Sequence, residues 1–187
     1  MAPFQFTVSD AGFDVKLAAH HAGRDAIKAR RPELMVGWTL ANTDIHAAPG
    51  GEANADRIRR EVNERFLEAS RRDDFVGIQT YGRTVFGAEG LVHAEDGVPH
   101  QPDGRRNLSG RLEATIREAA RIAQIPPVIV TENGLATEDD TQRLDYLRTA
   151  VAGVASCLAD GIDVRAISPG PRSITSSGCS DTFPSSA

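Results

Sequence analysis

Hydrophobic residues along this chain alternate between two textures: loose stripes at helical spacing, and short, nearly unbroken runs rich in β-branched residues. Phe13 to Arg30 predicts a helix, with Val15, Leu17, Ala18, Ala22, Ala26 and Ile27 as its stripe and Pro32 beyond its end. Leu34 to Leu40 is almost continuously apolar and predicts a buried strand. Asn42 to Gly51 reads as a loop. Ala53 to Ser70 is a strongly charged helix with Ile58, Val62, Phe66 and Leu67 on one side. Phe75 to Tyr81 is a second strand. Arg83 to Arg106 is rich in Gly, Pro, His and Asp, and Leu91-Val92-His93 adds a small hairpin strand within it. Ser109 to Ala123 is a helix anchored by Leu112, Ile116 and Ile122. Val128 to Thr131 is a strand that begins only after Pro126 and Pro127. Asp139 to Asp160 is the clearest helix, with Leu144, Leu147, Val151, Val154 and Leu158 at helical spacing, acidic residues at its start and Gly161 after its end. Ile162 to Ile167 starts one more strand.

The order is therefore α-β-α-β-α-β-α-β, and such alternation implies parallel strands joined by crossover helices. After Ala166 the texture changes. Residues 167–187 are rich in Ser, Pro, Gly and Thr with no apolar period, and are expected to form a disordered tail behind a folded unit of residues 1–166. Ser168-Pro169-Gly170-Pro171 does not suit a central strand.

Composition narrows the functions open to the chain. With 187 residues it can bury a real core, but it is short of the about 250 residues of a full (β/α)8 barrel. Twenty-one basic against 26 acidic residues give a formal charge of −5 with no long basic cluster, which argues against nucleic-acid binding. No stretch approaches the ~20 apolar residues of a membrane span. No basic segment followed by an apolar one marks a secretory signal. Two cysteines, Cys157 and Cys179, make no disulfide framework, and a reduced cytoplasmic setting is expected. No His, Cys and carboxylate cluster has metal-ligand spacing, and neither a metal nor an organic cofactor is expected.

The chemistry concentrates at two strand ends. In Val128-Ile129-Val130-Thr131-Glu132-Asn133-Gly134 an apolar run closes on a carboxylate, an amide and a glycine, so Glu132 stands at the C-terminal end of a strand, where such folds place reactive groups. On Thr131-Glu132-Asn133-Gly134 alone, a solvated strand-end carboxylate fits as well as a nucleophile. Asp74-Phe75-Val76-Gly77-Ile78-Gln79-Thr80-Tyr81-Gly82 is a second run of the same kind. Trp38 reads as core, His20 and His21 as helix residues of which one packs at the surface, His93 and His100 as solvated loop residues, and Asn63-Glu64 as a helix surface. No glycine-rich phosphate loop follows any predicted strand.

These segments resemble the C-terminal half of a family-1 glycoside hydrolase of the β-glucosidase type. Ile129-Val130-Thr131-Glu132-Asn133-Gly134 matches the family's nucleophile segment. Asp74-Phe75-Val76-Gly77-Ile78 matches strand 6, Asp139 to Leu147 the start of helix 7, and Ala159 to Arg165 the lead-in to strand 8. The similarity runs from about Phe13 to Arg165. It implies a partial TIM (β/α)8 barrel holding strands 5–8 and their helices, and a retaining hydrolysis of β-linked glucosides or related saccharides. It also implies Glu132 as nucleophile, Tyr81 as the residue that orients it, and Gln79 and Asn133 as sugar-site residues, with Gln79 standing where the family usually has Asn. The family's acid/base segment, Thr-x-Asn-Glu-Pro, is missing from this sequence, as are the aromatic run and the Asp-Asn-x-Glu-Trp sugar-binding segment expected after strand 8. A truncation or frame change in the coding sequence accounts for the altered tail, and a natural variable tail is the other reading. Little or no turnover is then expected from the chain alone, with a homodimer or a complementing N-terminal half as partner. The alternative function is a non-catalytic sugar-binding or self-associating half-barrel.

Overall fold

A computed structural model of the chain describes residues 9–92, 110–124, 126–135, 137 and 139–169. Four strands, β1 (Trp38–Ala41), β3 (Val76–Thr80), β6 (Val128–Asn133) and β7 (Val164–Pro169), form one parallel sheet in the order β1-β3-β6-β7. Each is preceded by a helical segment: α1 (Asp10–Arg30), α2 and α3 (Glu52–Arg59 and Arg65–Ala69), α4 (Arg111–Ala123) and α5 (Asp140–Ala159). Every new strand is added on the same side of the last. Right-handed crossovers then place all the helices on one face, which leaves the other face for the inside of an arc.

The helix-facing side of this sheet is the core. Leu40, Val76, Ile78, Val128 and Val130 meet Leu67, Leu112, Ile116, Ala119, Ala123 and Cys157 there. A second, smaller sheet joins β2 (Asp44–Ala47), β4 (Arg83–Gly87) and β5 (Gly90–Val92), with β2 and β4 parallel and β4 and β5 antiparallel. It buries Ile45 and Phe86 against Ala55 and Ile58.

Several expectations need correction. The segment 42–51, read as a loop, contains β2, and the region after Tyr81 contains β4 as well as the small hairpin strand at its tip. These strands bury too few apolar side chains, Ile45 and Phe86 foremost, to set up a visible period. The first strand starts at Trp38, not Leu34, and Leu34 and Met35 are exposed. Instead Leu34 N–H donates to Arg31 O and Lys28 Nζ reaches Leu34 O, so the chain turns there before entering the sheet. The last strand continues past Ile167 to Pro169, paired with Asn133. It is an edge of this sheet, where a proline costs no ladder bond.

The long charged helix is interrupted by a π-helical stretch, Arg60–Glu64, between α2 and α3. Asn63 lies within it and is buried, not on the surface as its neighbours suggest. Its amide donates to Thr43 O at 2.9 Å and to Glu118 Oε2 at 3.0 Å. The extra residue of the π turn brings this polar side chain under the helix. Burial raises the Glu118 carboxyl above the ordinary range.

On α5 most of the apolar stripe visible in the sequence lies off the packed face, although Val154 packs against the core. Ala150, Gly153 and Cys157 are buried, whereas Leu144, Val151 and Leu158 are 52%, 58% and 50% exposed. The small residues let α5 approach α4, and a Cβ at Gly153 would stand 2.9 Å from Glu113 Cβ. Asp139 caps the start of α5 by accepting from Thr141 N–H at 2.8 Å. Gly161 closes its end at φ +82°, a left-handed conformation that suits glycine.

Helix α1 has no buried residue; Phe13 meets Phe66 edge-on, 5.0 Å between centroids, and polar contacts hold the rest. His20 Nε2 lies 2.8 Å from Asp73 Oδ2 while its ring stacks on Trp38, 4.4 Å between centroids. Lys28 Nζ lies 2.5 Å from Asp74 Oδ2, and Asp74 also accepts from Val36 N–H at 2.9 Å. Trp38 therefore packs between α1 and Phe66, near the sheet's N-terminal edge. His93 and His100, the segment 93–109 and the tail beyond Pro169 lie outside the described residues. Among the described residues no helix is long and apolar enough to cross a membrane.

Two outcomes follow. Ile116→Ala removes a fully buried side chain and should cost about 2–5 kcal/mol. Val151→Ala, on the exposed stripe, should stay within about 0.5 kcal/mol. Denaturant melts that reversed this order would contradict the assigned faces of α4 and α5. The second outcome concerns pH. The Lys28 ammonium, then the Val36 amide, hold the Asp74 carboxyl below the ordinary aspartate range. A depressed acid stabilises the fold above its unfolded pKa, and that contribution is lost as pH falls toward the folded value. Asp74→Asn should therefore lower stability at neutral pH and flatten the acid limb of a melting-temperature profile; an unchanged acid limb would show that the Asp74 contact is not formed.

Candidate active site

The C-terminal ends of β3 and β6 build the site, and an irregularity in their pairing decides what it contains. Val76, Gly77 and Ile78 pair with Val128, Ile129 and Val130 in step. The next pairs are Gln79 with Glu132 and Thr80 with Asn133, so Thr131 is an extra residue on β6. Its hydroxyl donates to Ile78 O at 3.2 Å. Such a bulge shifts side-chain alternation by one place. Strict alternation from Val128 and Val130 would send Glu132 to the helix side. With the bulge, Val128, Val130 and Asn133 are buried, while Ile129, Thr131 and Glu132 are half-buried on the other face. Gly77 makes room for this arrangement: a Cβ there would meet Thr39 Oγ1 at 2.9 Å and Thr131 Cγ2 at 3.2 Å.

Opposite the bulge, both oxygens of Glu132 are held. Gln79 Nε2 donates to Oε1 at 2.7 Å, and the Tyr81 hydroxyl donates to Oε2 at 2.6 Å. Gln79 and Tyr81 are two residues apart along one strand direction and so share a face. The carboxylate is thereby fixed in orientation by two donors, one on each oxygen. Burial, and then the bond to Glu132, raise the Tyr81 phenol well above its ordinary value, so it remains a protonated donor.

Each expected site residue can now be placed. Glu132, Tyr81 and Gln79 come together at the strand ends. Gln79, expected at the sugar site, commits its amide to the carboxylate. Asn133, expected as a further sugar contact, is fully buried and points the other way. Its amide donates to Thr80 O at 2.9 Å and to the Tyr146 hydroxyl at 2.6 Å. Tyr146 on α5 lies in the segment Asp139 to Leu147, but only this contact singles it out. Beside it, the Thr80 and Thr115 hydroxyls lie 2.8 Å apart and link β3 to α4. No group of three or more His, Cys, Asp or Glu residues among the described ones is arranged to hold a metal ion.

What this arrangement can do is present an oriented, charged carboxylate to the inner side of the sheet. A carboxylate held so can attack an electrophilic carbon or stabilise a developing cation.

Comparison with solved structures agrees in kind. The chain is similar to β-glycosidase BGL167, with 66% identity and a TM-score of 0.83 over 90% of this chain and 40% of that one. It is similar to β-glucosidase 1317, with 31% identity and a TM-score of 0.75 over 84% of this chain and 39% of that one. A hyperthermophilic β-glucosidase mutant that forms a dodecamer in its crystal matches at 26% identity and a TM-score of 0.72, over 82% of this chain and 37% of that one. The chain thus spans about two fifths of the length of these glycosidases, and its four-stranded parallel arc is part of a (β/α)8 barrel. No protein-family model matches the chain, and no curated protein matches it.

The two tyrosines make the site easy to probe. They are the only ones in the sequence, and burial raises both phenols, Tyr81 and Tyr146, above the ordinary value of about 10. Absorbance near 295 nm should therefore show no tyrosinate in the folded protein as pH passes ~10, and should rise only with alkaline unfolding. The sign is consistent, because the unfolded chain releases phenolic protons that the folded one retains, so stability falls above pH ~10. Ionisation of one tyrosine at its ordinary pH with the fold intact would contradict the described environment.

Proposed function

We propose that this chain carries the nucleophile half of a retaining β-glycosidase of family 1, acting on β-linked glucosides or related saccharides. The observation that supports this most directly is the carboxylate of Glu132, set at a barrel strand end and held on both oxygens by Gln79 and Tyr81. In the reaction the Glu132 carboxylate attacks the anomeric carbon. The bond from that carbon to the leaving oxygen breaks with its electron pair, leaving a glycosyl ester on Glu132 that water then hydrolyses. Tyr81 and Gln79 keep the carboxylate aimed. As the ester forms, charge leaves the oxygen that bonds to carbon, and the other oxygen keeps its donor.

The retaining reaction also needs a second carboxyl group about 5–5.5 Å away to protonate the leaving oxygen. The sequence has no Thr-x-Asn-Glu-Pro segment to supply it. On this reading the acid/base comes from another stretch of polypeptide that supplies the complementing half-barrel. No nucleic acid, membrane, metal or organic cofactor takes part, and the setting is cytoplasmic. Without the acid/base, turnover of ordinary glucosides falls by about 10²–10⁴-fold. An activated leaving group needs no protonation, so the first step can still occur.

The purified chain is incubated with 2,4-dinitrophenyl 2-deoxy-2-fluoro-β-glucoside, whose fluorine slows both steps while its leaving group restores the first. The expected outcome is one glycosyl unit added to the peptide that contains Glu132, and none in Glu132→Ala. Attachment elsewhere, or no attachment, would overturn the nucleophile assignment. Hydrolysis of an unactivated aryl β-glucoside at rates typical of whole glycosidases would overturn the need for an acid/base from outside the chain.

A further inference from the structure

Behind the strand ends, on the side facing away from Glu132, lies a polar group that the chemistry above leaves unused. Asn133 is fully buried. Its amide nitrogen donates both to Thr80 O, on the neighbouring strand, and to the Tyr146 hydroxyl, on α5. Its Oδ1 is buried without a hydrogen-bond partner among the described residues, so these two bonds are what fixes the amide. Tyr146 is held in turn, with the buried Arg111 guanidinium 5.2 Å over its ring.

The positions of these contacts along the strands are what matter. Asn133 directly follows Glu132. Thr80 lies between Gln79 and Tyr81, the two donors to Glu132. One amide therefore spans the two strands immediately beside the carboxylate and both its partners. It does so just past the bulge at Thr131, where the regular pairing that would otherwise fix the separation of the strands is interrupted.

We propose that Tyr146 is a positioning residue for Glu132, acting through Asn133; the claim for catalysis rests on Glu132 being the nucleophile, whereas the mechanical coupling does not. Tyr146 has no contact with the reacting atoms. A phenylalanine would fill nearly the same volume, but the Asn133 amide would keep only its bond to Thr80 O and could rotate about it. The Gln79 and Tyr81 donors would then lose their fixed distance to Glu132.

Two readouts separate the outcomes. The first needs no activity. In a nitrogen-15 correlation spectrum the Gln79 side-chain amide of the full chain reports its bond to Glu132, and Glu132→Leu defines the signal when that bond is absent. Tyr146→Phe and Asn133→Ser should each move the Gln79 signal toward that position, and the double variant should move it no further than Asn133→Ser alone. Ile116→Ala, which weakens the core without touching this group, should leave it unmoved. Either single variant that remains folded decides the matter. A Gln79 signal unchanged in Tyr146→Phe, or moved equally by Ile116→Ala, would overturn the positioning role. The second readout is the rate at which the activated fluoroglucoside labels Glu132, expected to fall about tenfold or more in Tyr146→Phe as the attacking atom loses its alignment. If the unaltered chain is not labelled, the nucleophile assignment fails, and the Gln79 signal still decides whether Tyr146 positions the carboxylate.

Discussion

The extra residue at Thr131 is the constraint on which the site depends. A parallel pair of strands has one side-chain alternation, and a carboxylate two places after a buried valine belongs by that rule among the helices. The register change between Ile78/Val130 and Gln79/Glu132 reverses the assignment for the last two residues of β6. Glu132 turns to the inner face and Asn133 to the core. Burying Glu132 on the helix side would require a carboxylate in apolar surroundings, at a cost of several kcal/mol or a neutralised acid. On the inner face it meets two donors instead. The bulge thus settles the location of the carboxylate and the donors it meets.

The two faces of the strand ends then carry different duties. On the inner face Gln79 and Tyr81 hold the Glu132 carboxylate. On the helix face Thr80 meets Thr115 on α4, and Asn133 meets Tyr146 on α5. Each strand end is fastened from behind to the helix packed against it, by polar rather than apolar contacts. Apolar packing fixes how deep a strand lies, but it tolerates small slides along the sheet. A hydrogen bond of defined length and angle does not. Polar ties at the level of the site, with Val76, Ile78, Val128 and Val130 packed below, combine a stable base with a firmly oriented rim.

The sequence made the repeating plan legible, and for a physical reason. Buried parallel strands such as Val128-Ile129-Val130 and the helices between them differ sharply in texture, so four α-β repeats and their order were visible. The pairing of Tyr81 with Glu132 came only through the family resemblance, since the apolar runs show that each residue ends a strand but not that the two meet. Three things were not visible. The bulge leaves no mark in composition, since Thr131 suits a regular strand equally well. The partnership of Asn133 with Tyr146 joins residues whose neighbours give no hint of contact. The stripe of Leu144, Val151 and Leu158 misled because periodicity reports that a helix has an apolar side, not which neighbour covers it. On α5 the packed side is made of Ala150, Gly153 and Cys157, which score as weakly apolar yet allow the closest approach to α4. Asn63 failed for the converse reason, since a polar residue in a charged helix reads as exposed until a π turn carries it inward.

The uneven character of the two sheet faces bears on how an arc of a barrel can hold together. Had the inner face been as apolar as the helix face, four strands without their barrel neighbours would present a large hydrophobic surface to water. The residues on that face are instead small or polar: Thr39 and Ala41 on β1, Gly77 and Gln79 on β3, Thr131 and Glu132 on β6. Ile129 is the main exception and is only half-buried. The apolar burial that stabilises the unit therefore lies between the sheet and its own helices, within single repeats and their neighbours. The inner face contributes little to that core. Where the arc does show unmet apolar area, on the outer side of α5, it lies beyond the layer that holds Glu132, so the strand-end geometry does not depend on what covers it.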